Sequence, residues 1–301
     1  MQSVNQDFTT RQYMVTPDYE YFHYKDESTM EIEYHNHDFY EIYLLVSGKV
    51  NYLIEGKSYR LKPGDIILIN NNELHKPVLE FGGKYERLVI WVNPDFIKKQ
   101  GTEGTNLCMC FEASSKKKYN LIRPNAEILQ SIKNILSKFE KACSNTGFGS
   151  DILKNTYLTE LMVFLNRSYL DTFEEEIEID IEHNEKVSSL IMYINEKLAE
   201  DLSLDTLSTK FYLSKYHLLR EFKKHAGYSI HQYIQKKRMI MAKSMLREGL
   251  TVSEVFLRCG FGDYSNFIRS FKKIYGQSPK KYTKSHGKLQ GGSLWVRETL
   301  Y

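Results

Sequence analysis

The sequence predicts a two-domain α+β protein: an N-terminal antiparallel β-barrel with helices after it, then a C-terminal all-α domain carrying two helix-turn-helix motifs. Three observations carry this prediction. Short β-rich runs separated by turn residues fill residues 31–98. The hydrophobic pattern changes to a helical period after Pro124. The pattern RxFKKxxGxS then occurs twice, at a fixed offset of 49 residues. The expected boundaries are 1–123 for the barrel, 124–170 for dimerisation helices, 171–186 for an acidic linker, 187–284 for the helix-turn-helix domain and 285–301 for a disordered tail.

Composition bounds the possibilities. A chain of 301 residues can form two domains with real cores, and 42% hydrophobic with 26% charged residues is ordinary for a globular protein. No apolar run approaches a membrane span, and MQSVNQDFTTRQYMV lacks the pattern of an export leader, so a cytoplasmic protein without a membrane partner is expected. Cys108, Cys110, Cys143 and Cys259 read as free, structurally incidental thiols rather than a disulfide framework. The net charge of +3 hides a division. Residues 186–284 carry 19 Lys/Arg against 8 Asp/Glu, whereas residues 1–185 carry 20 against 29. A basic segment on an acidic one points to a polyanionic partner for the basic part.

Within the first region, NYLIEGKSYRL reads as a hairpin around Glu55-Gly56-Lys57, LKPGDIILIN as a turn followed by an apolar strand, and ERLVIWV as another strand. Ahead of them lies HNHDFYE, residues 35–41. On a strand, side chains two apart share a face, so His35, His37 and Glu41 converge there. Imidazole and carboxylate together suit a divalent metal such as zinc or iron.

Between 124 and 170 two helices are predicted. Ile128, Leu129, Ile132, Ile135, Leu136 and Phe139 form the apolar stripe of the first. After a break at SNTGFGS, Leu153, Tyr157, Leu158, Leu161, Met162 and Leu165 form that of the second. The stripes suit either a cover for the barrel or a subunit interface. DTFEEEIEIDIEHNE, residues 171–185, has the composition of a solvated linker, and the tail GKLQGGSLWVRETLY has no periodicity.

The two repeat copies, REFKKHAGYS (220–229) and RSFKKIYGQS (269–278), each sit in a helix-turn-helix. Ser214 and Asp263 are expected N-caps, and Gly227 and Gly276 expected C-terminal caps. Leu218 with Phe222, and Phe267 with Phe271, pin each second helix to its partner, whose core face carries Leu207 and Phe211 or Val255 and Phe261. Tyr216, Arg220 and Lys223, then Asn266, Arg269 and Lys272, are left facing outward. Two such units joined by a long helix over about Ile230–Leu246 reach successive major grooves of DNA.

From LSLDTLSTKFYLSKYHLLREFKK through CGFGDYSNFIRSFKKIYGQSPKKY the chain resembles the AraC/XylS family of bacterial transcription regulators, across residues 187–282. One departure is Phe256, where that family usually carries a small alanine. The resemblance implies that Tyr216, Leu219 and Arg220 face bases in one groove and Tyr264, Ser265, Asn266 and Arg269 in the next. Lys223 and Lys272 are better placed for phosphates. His35-x-His37-x3-Glu41-x6-Gly48, then Pro63-Gly64-Asp65 and His75, is similar to the two cupin motifs. All four positions that bind metal in cupins, His35, His37, Glu41 and His75, are occupied. Regulators of the AraC type carry a cupin-like barrel that mainly binds small effectors such as sugars. On that resemblance His35, His37, Glu41, Tyr43 and His75, with Tyr40 beside them, line an effector pocket.

Metal binding by the same four residues, or their retention for packing alone, are the alternatives, as is a constitutive DNA binder whose barrel only dimerises. The expected partners are double-stranded promoter DNA, a small-molecule effector, a second copy in a homodimer and, for an activator, RNA polymerase. Neither a cofactor nor enzymatic turnover is expected.

Overall fold

The computed structural model describes residues 11–26, 32–79, 84–114, 119–172 and 177–286. These form two compact units, residues 1–183 and 184–301, and each is taken by itself.

The first unit contains β1 (Tyr19–Asp26), β2 (Tyr40–Ser47), β3 (Val50–Ile54), β4 (Lys57–Arg60), β5 (Ile66–Ile69), β6 (His75–Leu79), β7 (Tyr85–Val92), β8 (Leu121–Ile122) and β9 (Ile181–Glu182). They pair as a five-stranded sheet, β1-β7-β2-β5-β8, and a four-stranded sheet, β6-β3-β4-β9. Every strand pairing is antiparallel, but the sheets do not close into the expected barrel. The β3–β4 hairpin is where the sequence places it. Glu55 and Gly56 both take the left-handed conformation, φ 47° and 78°, which matches the twist of the two strands. Glu55 carries the cost of that conformation and Gly56 does not.

YEIYLLVS in β2 shows no hydrophobic alternation because both faces of its sheet are covered. Tyr43 and Leu45 face the aromatic interior between the sheets, with Phe22, Tyr52, Tyr85 and Trp91. Tyr40, Ile42 and Leu44 face a layer of helices on the other side. That layer comprises α1 (Pro94–Gln100), α2 (Met109–Ser114), α3 (Ala126–Cys143) and α4 (Ser150–Asp171). Asn93 and Asn125 cap α1 and α3 by accepting hydrogen bonds from Asp95 and Ile128. Ile132, Ile135, Leu136 and Phe139 of α3, and Leu158, Leu161, Met162 and Leu165 of α4, are buried against the sheet. Removing each from water contributes about 1.5–3 kcal/mol. The stripes therefore do serve as the cover. Leu153 lies outside it, 45% exposed beside Ile152 at 65%. The four cysteines are free.

The stretch expected as a solvated linker is in part a strap on the first unit. Ile177 and Ile181 are buried, and Ile181 and Glu182 pair with Tyr59 and Ser58 of β4. Arg123 donates to both carboxylate oxygens of Asp65 and, at 2.7 Å, to Asp180, which Lys62 also meets. Burial alone would raise the Asp180 carboxyl, but these donors outweigh it and lower it. Acidic composition concealed the isoleucines, which can be buried while their acidic neighbours face water or a cation. Residues 173–176 lie outside the described residues.

The second unit is helical throughout its described residues: α5 (Glu185–Glu196), α6 (Leu204–Phe211), α7 (Lys215–Ala226), α8 (Ile230–Arg247), α9 (Val252–Arg258), α10 (Tyr264–Tyr275) and α11 (Pro279–His286). Ser214 and Asp263 cap α7 and α10, accepting from His217 and Asn266. Gly227 and Gly276 end those helices at φ 75° and 73°, a conformation that only glycine takes without strain. Leu218, Phe222, Phe267 and Phe271 are buried, as are Leu207, Val255 and Phe261. Phe211 is half-buried. Residues 285–286, expected in the tail, end α11, while 287–301 lie outside the described residues.

Candidate functional site

β2 begins only at Tyr40, so His35 and His37 precede the strand instead of lying along it. A different device brings them together. The backbone of His35 exchanges two 3.0 Å hydrogen bonds with that of His75 at the start of β6. His37 stacks on Phe39, ring centroids 3.9 Å apart. The His75 ring then lies 4.3 Å from that of His35 and 4.8 Å from that of His37. One ligand-capable atom from each ring falls within 4.8 Å of the others.

The tautomers follow from the partners. Nδ1 of His35, His37 and His75 faces the backbone oxygens of Glu33, Phe39 and Glu73 at 3.0, 2.8 and 3.0 Å. A carbonyl only accepts, so each Nδ1 carries a proton and donates it. A neutral ring then offers its Nε2 lone pair inward. Nε2 of His37 and of His75 are buried with no hydrogen-bond partner, and that of His37 lies 3.3 Å from Glu41 Oε2. A lone pair and a carboxylate repel at that separation unless a second ring proton or a cation lies between them.

Glu41, in β2, is fixed by two residues that the sequence reading did not single out. Tyr52 donates to its Oε1 at 2.9 Å and Trp91 Nε1 to its Oε2 at 3.0 Å. Burial would raise the Glu41 carboxyl, but His37 at 3.3 Å, with His75 and His35 behind it, holds it down at about 2. Burial, reinforced by His35 and His37, pushes His75 well below the usual histidine range. The donors of Tyr52 and Trp91 are thus committed to Glu41, and the inward-facing groups are acceptors. This arrangement suits a cation or a ligand rich in N–H or O–H donors, and it disfavours an anion. Ring nitrogens braced through Nδ1 by carbonyls are also the usual support of a metal-binding histidine.

Two expected pocket residues need qualification. Tyr40 is one position from Glu41 on the strand, so it points away from the imidazoles and stacks on Phe111 at 4.2 Å among the helices. Tyr43 shares the face of Glu41, but its hydroxyl is hydrogen-bonded to that of Tyr85 and its ring is buried against Tyr52. Alternation along ERLVIWV and NYLIEG was the available signal for Trp91 and Tyr52. It identifies the inward face but not which inward side chain reaches Glu41.

In the second unit, Tyr216, Leu219, Arg220 and Lys223 of α7 and Tyr264, Ser265, Asn266, Arg269 and Lys272 of α10 are all solvent-exposed. Tyr216 is 74% exposed, an arrangement that a monomer core does not explain. Arg220 lies over the Tyr216 ring and bonds Glu221 at 3.1 Å. Phe256, the departure noted above, packs edge-on against Tyr264, centroids 5.2 Å apart.

Comparison with known proteins covers both units. A family described as the AraC-like ligand binding domain matches residues 19–162, and one described as a helix-turn-helix domain matches residues 207–285. The HTH-type transcriptional activator RhaS of Enterobacter sp. (strain 638) is 26% identical over 256 residues, 82% of this chain and 86% of that protein. RhaS of Salmonella schwarzengrund is 25% identical over a similar span, 82% of this chain and 85% of that protein. Among solved structures, apo ToxT from Vibrio cholerae aligns with 90% of this chain and 98% of its own at 12% identity and a TM-score of 0.38.

Proposed function

Since this chain belongs to the AraC family of DNA-binding transcriptional regulators, with an AraC-like ligand-binding domain ahead of its helix-turn-helix domain, we propose that α7 and α10 read promoter DNA under the control of an effector held at the His35–His37–His75 cluster. Arg220 and Arg269 are assigned to guanine edges and Lys223 and Lys272 to phosphates, with Tyr216, Leu219, Tyr264, Ser265 and Asn266 as the remaining base-facing side chains. A polyol such as a sugar supplies the donors that the imidazoles and Glu41 accept. The observation that supports this most directly is that two buried Nε2 atoms without a hydrogen-bond partner, those of His37 and His75, fall in one cluster of three imidazoles. Regulation then requires that the effector favour one conformation of the chain over another. The chain acts on promoter DNA in the cytoplasm as a homodimer and, if it activates, alongside RNA polymerase. Among the described residues no helix is long and apolar enough to cross a membrane. The curated relatives above are transcriptional regulators, and turnover is not part of the proposal.

A second reading shares the site. Three imidazoles with Nδ1 on carbonyls, and a carboxylate 3.3 Å from one Nε2, fit a divalent cation such as zinc. His35, His37 and His75 would hold it, with Glu41 as a fourth ligand or a counter-charge. A thermal-shift screen of the purified chain against sugars and divalent cations, with and without chelator, separates the readings. A ligand that binds only the folded state raises the melting temperature as its occupancy rises. A response to sugars that survives the chelator supports the first reading, and one to the cation alone supports the second.

A further inference from the structure

The two helix-turn-helix motifs are joined by α8, and a second connection bypasses that helix. The loop after α5 presents the carbonyls of Leu198 and Glu200, and Arg238, midway along α8, donates to both: Nε to Leu198 at 2.9 Å and a terminal nitrogen to Glu200 at 2.9 Å. The turn of the second motif reaches the same loop. Gly260, at φ 71°, lies so close that an added Cβ would stand 2.6 Å from the Leu198 oxygen, 3.0 Å from the Ala199 oxygen and 2.9 Å from the Arg238 guanidinium. A third tie lies on the same helix, where Tyr233 donates to Asn195 of α5 at 3.2 Å.

We propose that the 198–200 loop, clamped by Arg238 and abutted by Gly260, locks the orientation of α10 relative to α7 and so sets which half-site spacing the protein accepts. A helix joined only at its ends to two small motifs leaves their relative twist to the packing of a few side chains. The fork of Arg238 on two carbonyls, with the second motif's turn seated against it, removes that freedom. Arg238 touches no base in this scheme; it is a positioning residue. The proposal rests on the reading that α7 and α10 each contact DNA. Two recognition helices on one chain gain from binding together only when their separation matches the groove repeat. A loosened joint therefore lowers affinity for the paired site and widens the spacings tolerated, with each half-site read as before.

The test uses the full chain and a duplex selected by it from random-sequence DNA. Scrambled versions lose one half-site or the other, and further versions gain or lose one base pair between them. Arg238→Gln should bind the selected duplex roughly tenfold more weakly but either single half-site within about twofold. It should also discriminate less against the shifted spacings, and Arg238→Lys should recover part of the loss. Equal losses on paired and single sites, or unchanged spacing discrimination, would overturn the lock.

Spin labels at Lys224→Cys and Lys273→Cys, in a Cys143→Ser background, report the same joint without DNA. Their distance distribution should broaden in Arg238→Gln, and in Arg238→Lys to a lesser degree. An unchanged distribution in both overturns the proposal even if one variant is too unstable for binding work. If scrambling either half-site leaves the parent protein's binding unchanged, the two-helix reading has failed instead. The label distances then still decide whether the joint is rigid.

Discussion

The two units place their polar side chains in opposite ways. In the first, His37, Glu41 and His75 are almost fully buried, and Tyr52 and Trp91 bond Glu41 from inside the sheets. In the second, nine candidate side chains on α7 and α10 are all turned to water. A buried carboxylate is stable only when its neighbours satisfy it, so Glu41 and its two donors behave as one body. An exposed side chain on a helix already pinned by Leu218 and Phe222, or Phe267 and Phe271, can change without disturbing its scaffold. Substitutions should therefore act through stability in the first unit and through affinity in the second.

The largest effect expected is from Glu41→Ala. It leaves Tyr52 and Trp91 with no acceptor, and removing one member of a buried charged network costs about 3–5 kcal/mol. Thermal unfolding of the first unit should move sharply downward while helix melting of residues 184–286 stays in place. A Glu41→Ala protein with unchanged melting would mean that the network is not what holds the sheets.

Acidification should sharpen the same contrast. Glu41 is held at about 2 against an ordinary 4.5, so its contribution is complete above pH 4.5 and is lost as pH falls toward 2. His75 is also depressed, from an ordinary 6.5; below that value the unfolded chain takes up a proton that the folded chain refuses. Both groups destabilise the first unit on the acid side, His75 from about pH 6.5 and Glu41 from about pH 4.5. Denaturant titrations across this range, followed by Trp91 fluorescence, should show stability falling with pH. A flat profile would contradict the buried arrangement.

Smaller effects belong to the second unit. Arg220→Ala and Arg269→Ala should each weaken the selected operator by about 1–3 kcal/mol and random DNA much less, since a guanidinium pairs with guanine O6 and N7. Lys223→Ala and Lys272→Ala should weaken both DNAs alike and reduce the salt dependence by about one unit of slope each. Binding curves at several salt concentrations distinguish these outcomes. Equal losses on both DNAs for the arginine variants would move base reading to Tyr216, Tyr264 and Asn266.

Legibility followed the same division between the units. The second could be read from the chain because its signals are local: a cap, an i,i+4 pair and a terminal glycine all lie within one helix, twice over. The strands were legible from their β-rich runs, whereas the meeting of His75 with His35 and His37 was legible only through the resemblance to the cupin motifs, since both histidines precede the strand on which spacing placed them. Tyr52 and Trp91 were not, because they lie 11 and 50 residues from the carboxylate they hold and only sheet pairing joins them. Tyr40 was placed on the wrong face although strand alternation forbade it. The strap at Ile177 and Ile181 was hidden by surrounding acids, whose composition alone resembles that of a solvated tether.

On the proposed function, occupation of the His35–His37–His75 cluster changes DNA binding by the other unit. Its most direct test is operator affinity of the full chain, with and without whichever sugar or cation raises its melting temperature, for the parent and for His35→Ala/His37→Ala. A ligand-dependent change is expected in the parent and none in the double variant, whose ligand-free affinity should stay within about threefold of the parent's. A folded double variant that still responds to the ligand, or a parent that binds the ligand with no change in operator affinity, would contradict it.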